Sequence, residues 1–228
     1  MTARLQGLTA VIPALNEIAT IGRVVSGVRE VAECVIVVDD GSTDGTGDAA
    51  RAAGAVVVRH DRPLGYDTAI AEGLNEAFRL GAVAAITTDA DGQHRIDDVR
   101  RVAQPVLAGG RAFSAGVRDH YNRAVEGLLG IVARPLYGTR DPFCGLKCYH
   151  RTLFERMGPF PSGMNVGSLP LAWVRRNRLS AEFIPITSGA RHDQPRFGTM
   201  FRASAKLAVA FFRTLWADLT YTSSARRA

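Results

Sequence analysis

The chain has 228 residues, 46% of them hydrophobic, and a formal net charge of +6. That apolar content supports one substantial core and excludes a chain with too little to bury. The basic balance fits either an anionic partner or a soluble surface with surplus Arg.

The three cysteines are Cys34, Cys144 and Cys148. An odd count speaks against a disulfide framework and fits a reducing compartment. Cys144 and Cys148, with His150 nearby, lack zinc-ribbon spacing and a fourth ligand, so no metal is expected there. The first residues do not read as a secretory leader. No stretch reaches the roughly 18 uncharged apolar residues of a spanning helix. "KLAVAFFRTLWADLTY" comes nearest, but Lys206, Arg213 and Asp218 interrupt it.

In chain order, "LTAVIPA" is a short apolar strand. "EIATIGRVVSGVRE" places Ile18, Ile21, Val24, Val25 and Val28 at helical spacing. "CVIVVDD" is a second strand, and "TDGTGDAARAAG" a helix from about Thr43, with Ser42 or Thr43 as N-cap and Gly54 closing it. "AVVVRH" is a strand, "YDTAIAEGLNEAFRLG" a helix stopped by Gly81, and "AVAAITTDA" a fourth strand. These strands are short and nearly all apolar, which predicts burial on both faces of a mostly parallel sheet. The alternation predicts an α/β open sheet with helices on both faces, whose ligands sit at the carboxyl ends of strands.

The second half is less regular. "DDVRRVAQPVLAGG" reads as a helix up to Pro105, "AFSAGVR" as a strand, "NRAVEGLLGIVARPLYG" as a helix and "FCGLKCYHR" as a strand. A helix from about Leu169 to Asn177 precedes the strand "LSAEFIPI", and "TSGARHDQPRFG" is a loop. Met200 to Leu219 reads as an amphipathic helix with Phe201, Phe211, Phe212 and Trp216 beside Arg202, Lys206 and Arg213. Such a helix suits a membrane interface, a domain surface or a dimer contact. The last residues are expected to be disordered.

Carboxylates gather at the strand ends. Asp39 and Asp40 end the second strand, and Asp89 and Asp91 end the fourth. Residues n and n+2 of an extended segment point the same way, and two such carboxylates call for a cation. Oxygen ligands suit Mg²⁺ or Mn²⁺, which keep positions open for substrate phosphates. "VVDDGSTDGT" mimics a calcium loop through Asp40, Ser42, Asp44 and Gly45, but Arg51 stands where the twelfth-position Glu belongs. A strand-to-helix turn with acceptor carboxylates instead suits a nucleoside.

"VIPALNE", "VVDDGSTDGT", "RPLGYDTAIAEGL" and "DADGQH" occur in this order. Together they resemble the family 2 glycosyltransferases of the GT-A fold, over residues from about 8 to 150. The resemblance implies a UDP- or GDP-hexose donor with Mg²⁺ or Mn²⁺ on its diphosphate. It gives Asp89 and Asp91 the DxD metal role, with Gln93 as a further ligand in the polyprenyl-phosphate branch. Pro13, Glu17, Asp39, Asp40 and Asp89 would surround the nucleotide.

"DPFCGLKCY" is similar to a stretch of the dolichol-phosphate mannose synthase-like enzymes. That likeness points to a polyprenyl phosphate acceptor. An acceptor already anionic needs no base, whereas a hydroxyl acceptor does. Arg118, Arg123, Arg134, Lys147, Arg191 and Arg196 are among the cations that the second half supplies. Arg118, Lys147, Arg191 and Arg196 are the expected acceptor or phosphate ligands. Asp91, Arg118 and Asp141 are the expected catalytic residues, Asp141 as the base if the acceptor is a small hydroxyl compound such as an aglycone. A nucleotide-sugar-binding module without turnover is the non-enzyme alternative.

The expected organisation is one GT-A domain over 1–198, with a nucleotide half to 110 and an acceptor half from 111, and an appended helix and tail over 199–228. The expected location is cytoplasmic, peripheral on the membrane face. No nucleic-acid partner is expected, and a homodimer is compatible.

Overall fold

In the computed structural model of the chain, the described residues are 3–119, 130, 131, 134, 135, 137–162, 168–187 and 216. The expected helix over 122–138 lies mostly outside them. Arg123, Arg191, Arg196 and, Trp216 apart, the expected C-terminal helix lie outside them too.

Seven strands form one sheet: β1 (Leu5–Ala14), β2 (Ala32–Asp39), β3 (Val56–Arg59), β4 (Ala84–Thr87), β5 (Phe113–Arg118), β6 (Lys147–His150) and β7 (Ala181–Ile186). Their order is β3-β2-β1-β4-β6-β5-β7. The pairs β1–β2, β1–β4, β2–β3 and β5–β7 are parallel, while β6 runs antiparallel to both β4 and β5. The sheet continues without interruption across residue 110.

Side chains alternate between the two faces of a strand, and β1 shows the consequence. Val11 joins a core with Ile36 and Val38 under α3 (Tyr66–Arg79), α5 (Arg151–Met157) and α6 (Leu169–Arg176). Its neighbours Ala10 and Ile12 join the opposite core, under α1 (Ile21–Val28), α2 (Thr46–Ala52) and α4 (Ile96–Leu107). Both faces of the central strands are therefore covered, as their continuous apolar runs require. The packing of α3 on β1 is close: a Cβ at Gly73 would fall 2.3 Å from Val11 Cγ1.

Several local expectations need correction. The first helix starts at Ile21, and Ile18 lies outside it, 48% exposed. The second starts at Thr46 with left-handed Gly45 as N-cap. Ser42 does not cap it; its Oγ accepts from the Asn16 amide instead. The strand β3 is a half-exposed edge, with Val56 45% exposed, not a strand buried on both faces. The helix α4 runs past Pro105 to Leu107; Pro105 removes one backbone donor and crowds the carbonyl of residue 101, and the helix ends within a turn of it. The helix α5 was not foreseen, although Leu153, Met157 and the following Gly158 carry helix spacing and a stop.

The reversal of β6 matters most. Its first residue, Lys147, pairs with Thr87 near the end of β4 and with Ala115 in β5. The loop 141–146 that leads into β6 is thereby delivered to the carboxyl edge of the parallel strands. Asp141 and Gly145 reach the acidic cluster only because this strand runs backwards.

Candidate active site

Two loops at the carboxyl ends of β1 and β2 are tied together by short polar side chains. Asn16, at φ 54°, takes the left-handed conformation that Asn tolerates best after Gly. Its amide donates to Ser42 Oγ (2.9 Å), and its own Oδ1 accepts from the Thr43 amide (3.0 Å). The Glu17 amide donates to Thr46 Oγ1 (2.8 Å) and the Ile18 amide to Asp44 Oδ2 (3.1 Å). Glu17 is itself buried, and Thr20 Oγ1 donates to its Oε2 (3.3 Å). Pro13 is buried inside β1, in register with Val38.

Asp39 and Asp40 sit side by side but do different things. Asp39 is fully buried, and its Oδ1 accepts from the Ser42 amide (3.0 Å). Its Oδ2 has no hydrogen-bond donor; Arg59 Nε stands 3.7 Å away on a half-exposed side chain. Gly47 permits this, since a Cβ there would fall 2.4 Å from Oδ2. Asp40 accepts from the Leu64 amide (2.7 Å), the Gly65 amide (2.9 Å) and His60 Nδ1 (2.7 Å). Burial raises the pKa of Asp40, but the bonds from Leu64, His60 and Gly65 outweigh it and hold the carboxyl below its ordinary value.

Asp89 and Asp91 follow β4, which ends at Thr87: Asp89 lies in irregular chain and Asp91 in the turn that begins at Ala90. The expectation that strand geometry aligns them is corrected by this turn. Asp89 Oδ1 accepts from Tyr66 Oη (3.0 Å), and Oδ2 lies 3.2 Å from His94 Nε2. Burial pushes the Asp89 pKa up, but the bond and charge of His94, the Tyr66 hydroxyl and the charge of Arg118 bring it below the ordinary value. Burial correspondingly lowers the His94 pKa, but Asp89 and the charge of Asp91 raise it above the ordinary value. His94 Nδ1, on the far side of the ring, is buried without a hydrogen-bond partner. Asp91 Oδ1 accepts from the Gln93 amide (3.0 Å). Gly145 lies against Asp89: a Cβ there would fall 2.6 Å from Oδ2 and 2.7 Å from Oδ1.

Arg118, at the end of β5, meets Asp141 in a bidentate pair. Nε donates to Oδ2 (2.9 Å), Nη2 to Oδ1 (2.8 Å) and the Arg118 amide to Oδ2 (3.0 Å). The Asp141 side chain is fully buried. Both of its oxygens are therefore engaged, which is not the arrangement of a base waiting for a hydroxyl proton. Lys147 is also buried, and its Nζ donates to the Pro142 carbonyl (2.8 Å), bracing the 141–146 loop. It does not present an ammonium to solvent, contrary to the role expected for it.

A hard divalent ion takes one or two carboxylates and completes its coordination with substrate phosphates. Asp89 and Asp91 supply two partly exposed carboxylates at the rim, and the missing Cβ of Gly145 lets the Asp89 carboxylate lie against the 141–146 loop. This oxygen donor set fits Mg²⁺ or Mn²⁺. Among the described residues no group of three or more His, Cys, Asp and Glu is placed to hold an ion.

Tyr66 and His94, the two partners of Asp89, received no role from the sequence. Both stand inside the quoted motifs, and His94 follows Asp89 closely enough that a local contact was foreseeable. The partnership of His60 with Asp40 and Glu72 joins three separate elements and left no sequence signal.

The mostly parallel sheet with helices on both faces defines an α/β protein of GT-A architecture. The chain belongs to glycosyl transferase family 2, whose sequence profile matches residues 9–153. It is 38% identical over 109 residues to an uncharacterized protein of Methanocaldococcus jannaschii, covering 47% of this chain and 45% of that one. It is 32% identical over 126 residues to the UDP-N-acetylglucosamine–dolichyl-phosphate N-acetylglucosaminyltransferase of Methanococcus voltae, covering 47% and 50% respectively. The chain spans about half the length of these two relatives. Among solved structures, glucosyl-3-phosphoglycerate synthase from Mycobacterium tuberculosis, in complex with Mn²⁺, UDP and phosphoglyceric acid, shares the fold. Its TM-score is 0.74 at 22% identity, over 95% of this chain and 80% of that one.

Proposed function

We propose that the protein transfers a hexose from a UDP- or GDP-sugar to a polyprenyl phosphate. The observation that carries this reading is the bidentate engagement of Asp141 by Arg118. A hydroxyl acceptor needs a base near the reacting carbon, and the candidate base is already committed. A phosphate acceptor arrives anionic and needs none. The 32% identical relative named for a dolichyl-phosphate acceptor supports the same choice.

In this reading a phosphate oxygen of the acceptor attacks the anomeric carbon of the donor. The bond from that carbon to the β-phosphate oxygen breaks, and the nucleoside diphosphate leaves with the electron pair. Asp89 and Asp91, with Gln93 beside them, would hold the divalent ion. When bound, the ion supplies positive charge to the departing diphosphate. Arg118 adds fixed positive charge near Asp89, in a site that need not reorganise as the reaction proceeds.

Asp39 Oδ2, buried without a donor, would accept from a base N–H once the half-exposed Arg59 side chain moves aside. Asp40, by contrast, braces the loop that walls the nucleoside. Among the described residues no helix is long and apolar enough to cross a membrane. A lipid acceptor would be met at a membrane surface, and Arg191, Arg196 and the basic, aromatic segment 200–219 are the residues of the sequence suited to that contact.

The test is transfer of labelled sugar. With Mn²⁺ and a panel of UDP- and GDP-hexoses, label is expected to move into undecaprenyl or dolichyl phosphate and become extractable into organic solvent. Label appearing only on a water-soluble acceptor, such as phosphoglyceric acid or a small alcohol, would replace this reading with the alternative. Absence of transfer from every donor, with binding intact, would leave a binding module.

A further inference from the structure

His60 is buried, and each of its ring nitrogens faces a carboxylate at the same short distance. Nδ1 is 2.7 Å from Asp40 Oδ1, and Nε2 is 2.7 Å from Glu72 Oε2. A neutral imidazole carries one donor and one acceptor, whereas an ionised carboxylate only accepts. Two acceptors at 2.7 Å are both satisfied only by a ring with two N–H donors. Asp40 cannot be the group that carries a shared proton without losing acceptor capacity, since it also receives the Leu64 and Gly65 amides. Glu72 is about one-third exposed and can stay hydrated as an anion.

The three residues come from three elements. Asp40 follows β2, His60 follows β3, and Glu72 stands on α3. The loop between His60 and α3, residues 61–65, is wholly exposed. Its two amide bonds to Asp40 fix its last turn. Gly65 is the residue before Tyr66, the first of α3, and the Tyr66 hydroxyl donates to Asp89 (3.0 Å). A continuous set of bonds thus leads from the buried His60 through Asp40 and Gly65 to Tyr66 and Asp89.

We propose that His60 is a positioning residue of the nucleotide site: as a cation held between Asp40 and Glu72, it fixes loop 61–65 and so sets Tyr66 against Asp89. The link to nucleotide binding rests on the function proposed above; the link to the loop does not. The charged groups around His60 are Asp40 and Glu72, with Arg59 and Asp61 flanking it in the chain, Arg59 turned toward Asp39.

Burial lowers the His60 pKa, but the bonds and charges of Asp40 and Glu72 outweigh it and raise the pKa above its ordinary value. A raised histidine pKa gives a contribution fully present below the unfolded value and lost as pH rises through the folded one. The lowered pKa of Asp40 sets the other limit, because its contribution is lost as pH falls through that folded value. The loop is therefore firmest between the two.

The experiment uses the full chain and three readouts. Long-range ¹H–¹⁵N spectra of the wild type at pH 7 are expected to show both His60 nitrogens protonated. Amide exchange at Leu64 and Gly65, corrected for its intrinsic pH dependence, is expected to speed up about ten-fold as that ring loses its proton, which corresponds to about 1.4 kcal/mol. In His60→Gln the same amides are expected to exchange fast at every pH, and UDP in the presence of Mn²⁺ to bind about ten-fold more weakly. A neutral ring at pH 7, or equal protection in wild type and variant, would overturn the proposal. So would unchanged UDP affinity in a variant whose loop has loosened. Should His60→Gln fail to fold, the wild-type titration alone decides. If the wild type binds no nucleotide, the functional reading falls while the first two readouts still judge the clamp.

Discussion

Replacing Asp141 by Ala is expected to cost about 3–5 kcal/mol of stability, the usual penalty for stripping one partner from a buried ion pair. The Arg118 side chain is 13% exposed and the Asp141 side chain 0%. Without the carboxylate, the guanidinium and the Arg118 amide lose three hydrogen bonds together. The guanidinium cannot shed its proton to relieve the burial. The loop entering β6 loses its anchor at the same time. In urea, the midpoint should fall at unchanged m. In a thermal scan, a chain of this size should lose roughly 6–20 °C. Asp141→Asn keeps the shape and one acceptor oxygen, and should lose less. A loss below about 1 kcal/mol would mean that the pair is solvated and weak. Asp141 would then be available as a base, and the case for an anionic acceptor would fail.

Asp91→Ala is expected to do the opposite: little to stability, and nearly everything to metal-dependent binding. Asp91 is partly exposed in a turn, where its Oδ1 accepts from the Gln93 amide. Truncation there should change stability by about 1 kcal/mol or less. In the wild type, a nucleotide at 100 times its Kd should raise stability by about 2.7 kcal/mol, provided Mn²⁺ is present. In the variant that Mn²⁺-dependent rise in melting temperature should vanish. A variant that keeps the full shift would remove Asp91 from the site.

Much of this arrangement could be read in the sequence, for identifiable reasons. The strands of the first half are β-branched runs bounded by Gly and Asp, and their apolar content signals burial on two faces for β1, β2 and β4 but not for the edge strand β3. Carboxylates at the ends of two such strands mark the edge where a ligand is expected, without knowledge of the packing. The antiparallel β6 could not be read, since "KCYH" looks the same in either direction. With its direction unknown, the approach of Gly145 to Asp89 and the pairing of Arg118 with Asp141 were out of reach.

Lys147 misleads for a related reason, and the bonds of Asp40 were equally hidden. A charged residue in a motif is read as facing ligand, but only the fold tells whether its partners lie inside. Lys147 turns to the Pro142 carbonyl, and Asp40 to His60 and two amides. Tyr66 and His94 gain meaning only once the turn after β4 brings Asp89 between them.

The central claim is that a cation on Asp89 and Asp91 joins the donor's diphosphate to the carboxyl edge of the sheet. Calorimetric titration of the wild-type chain with UDP and with GDP, first in Mn²⁺ and then in excess EDTA, tests it most directly. Saturable binding of at least one nucleotide is expected in Mn²⁺, and its loss in EDTA. Equal affinity under both conditions, or no binding of either nucleotide in Mn²⁺, would contradict it.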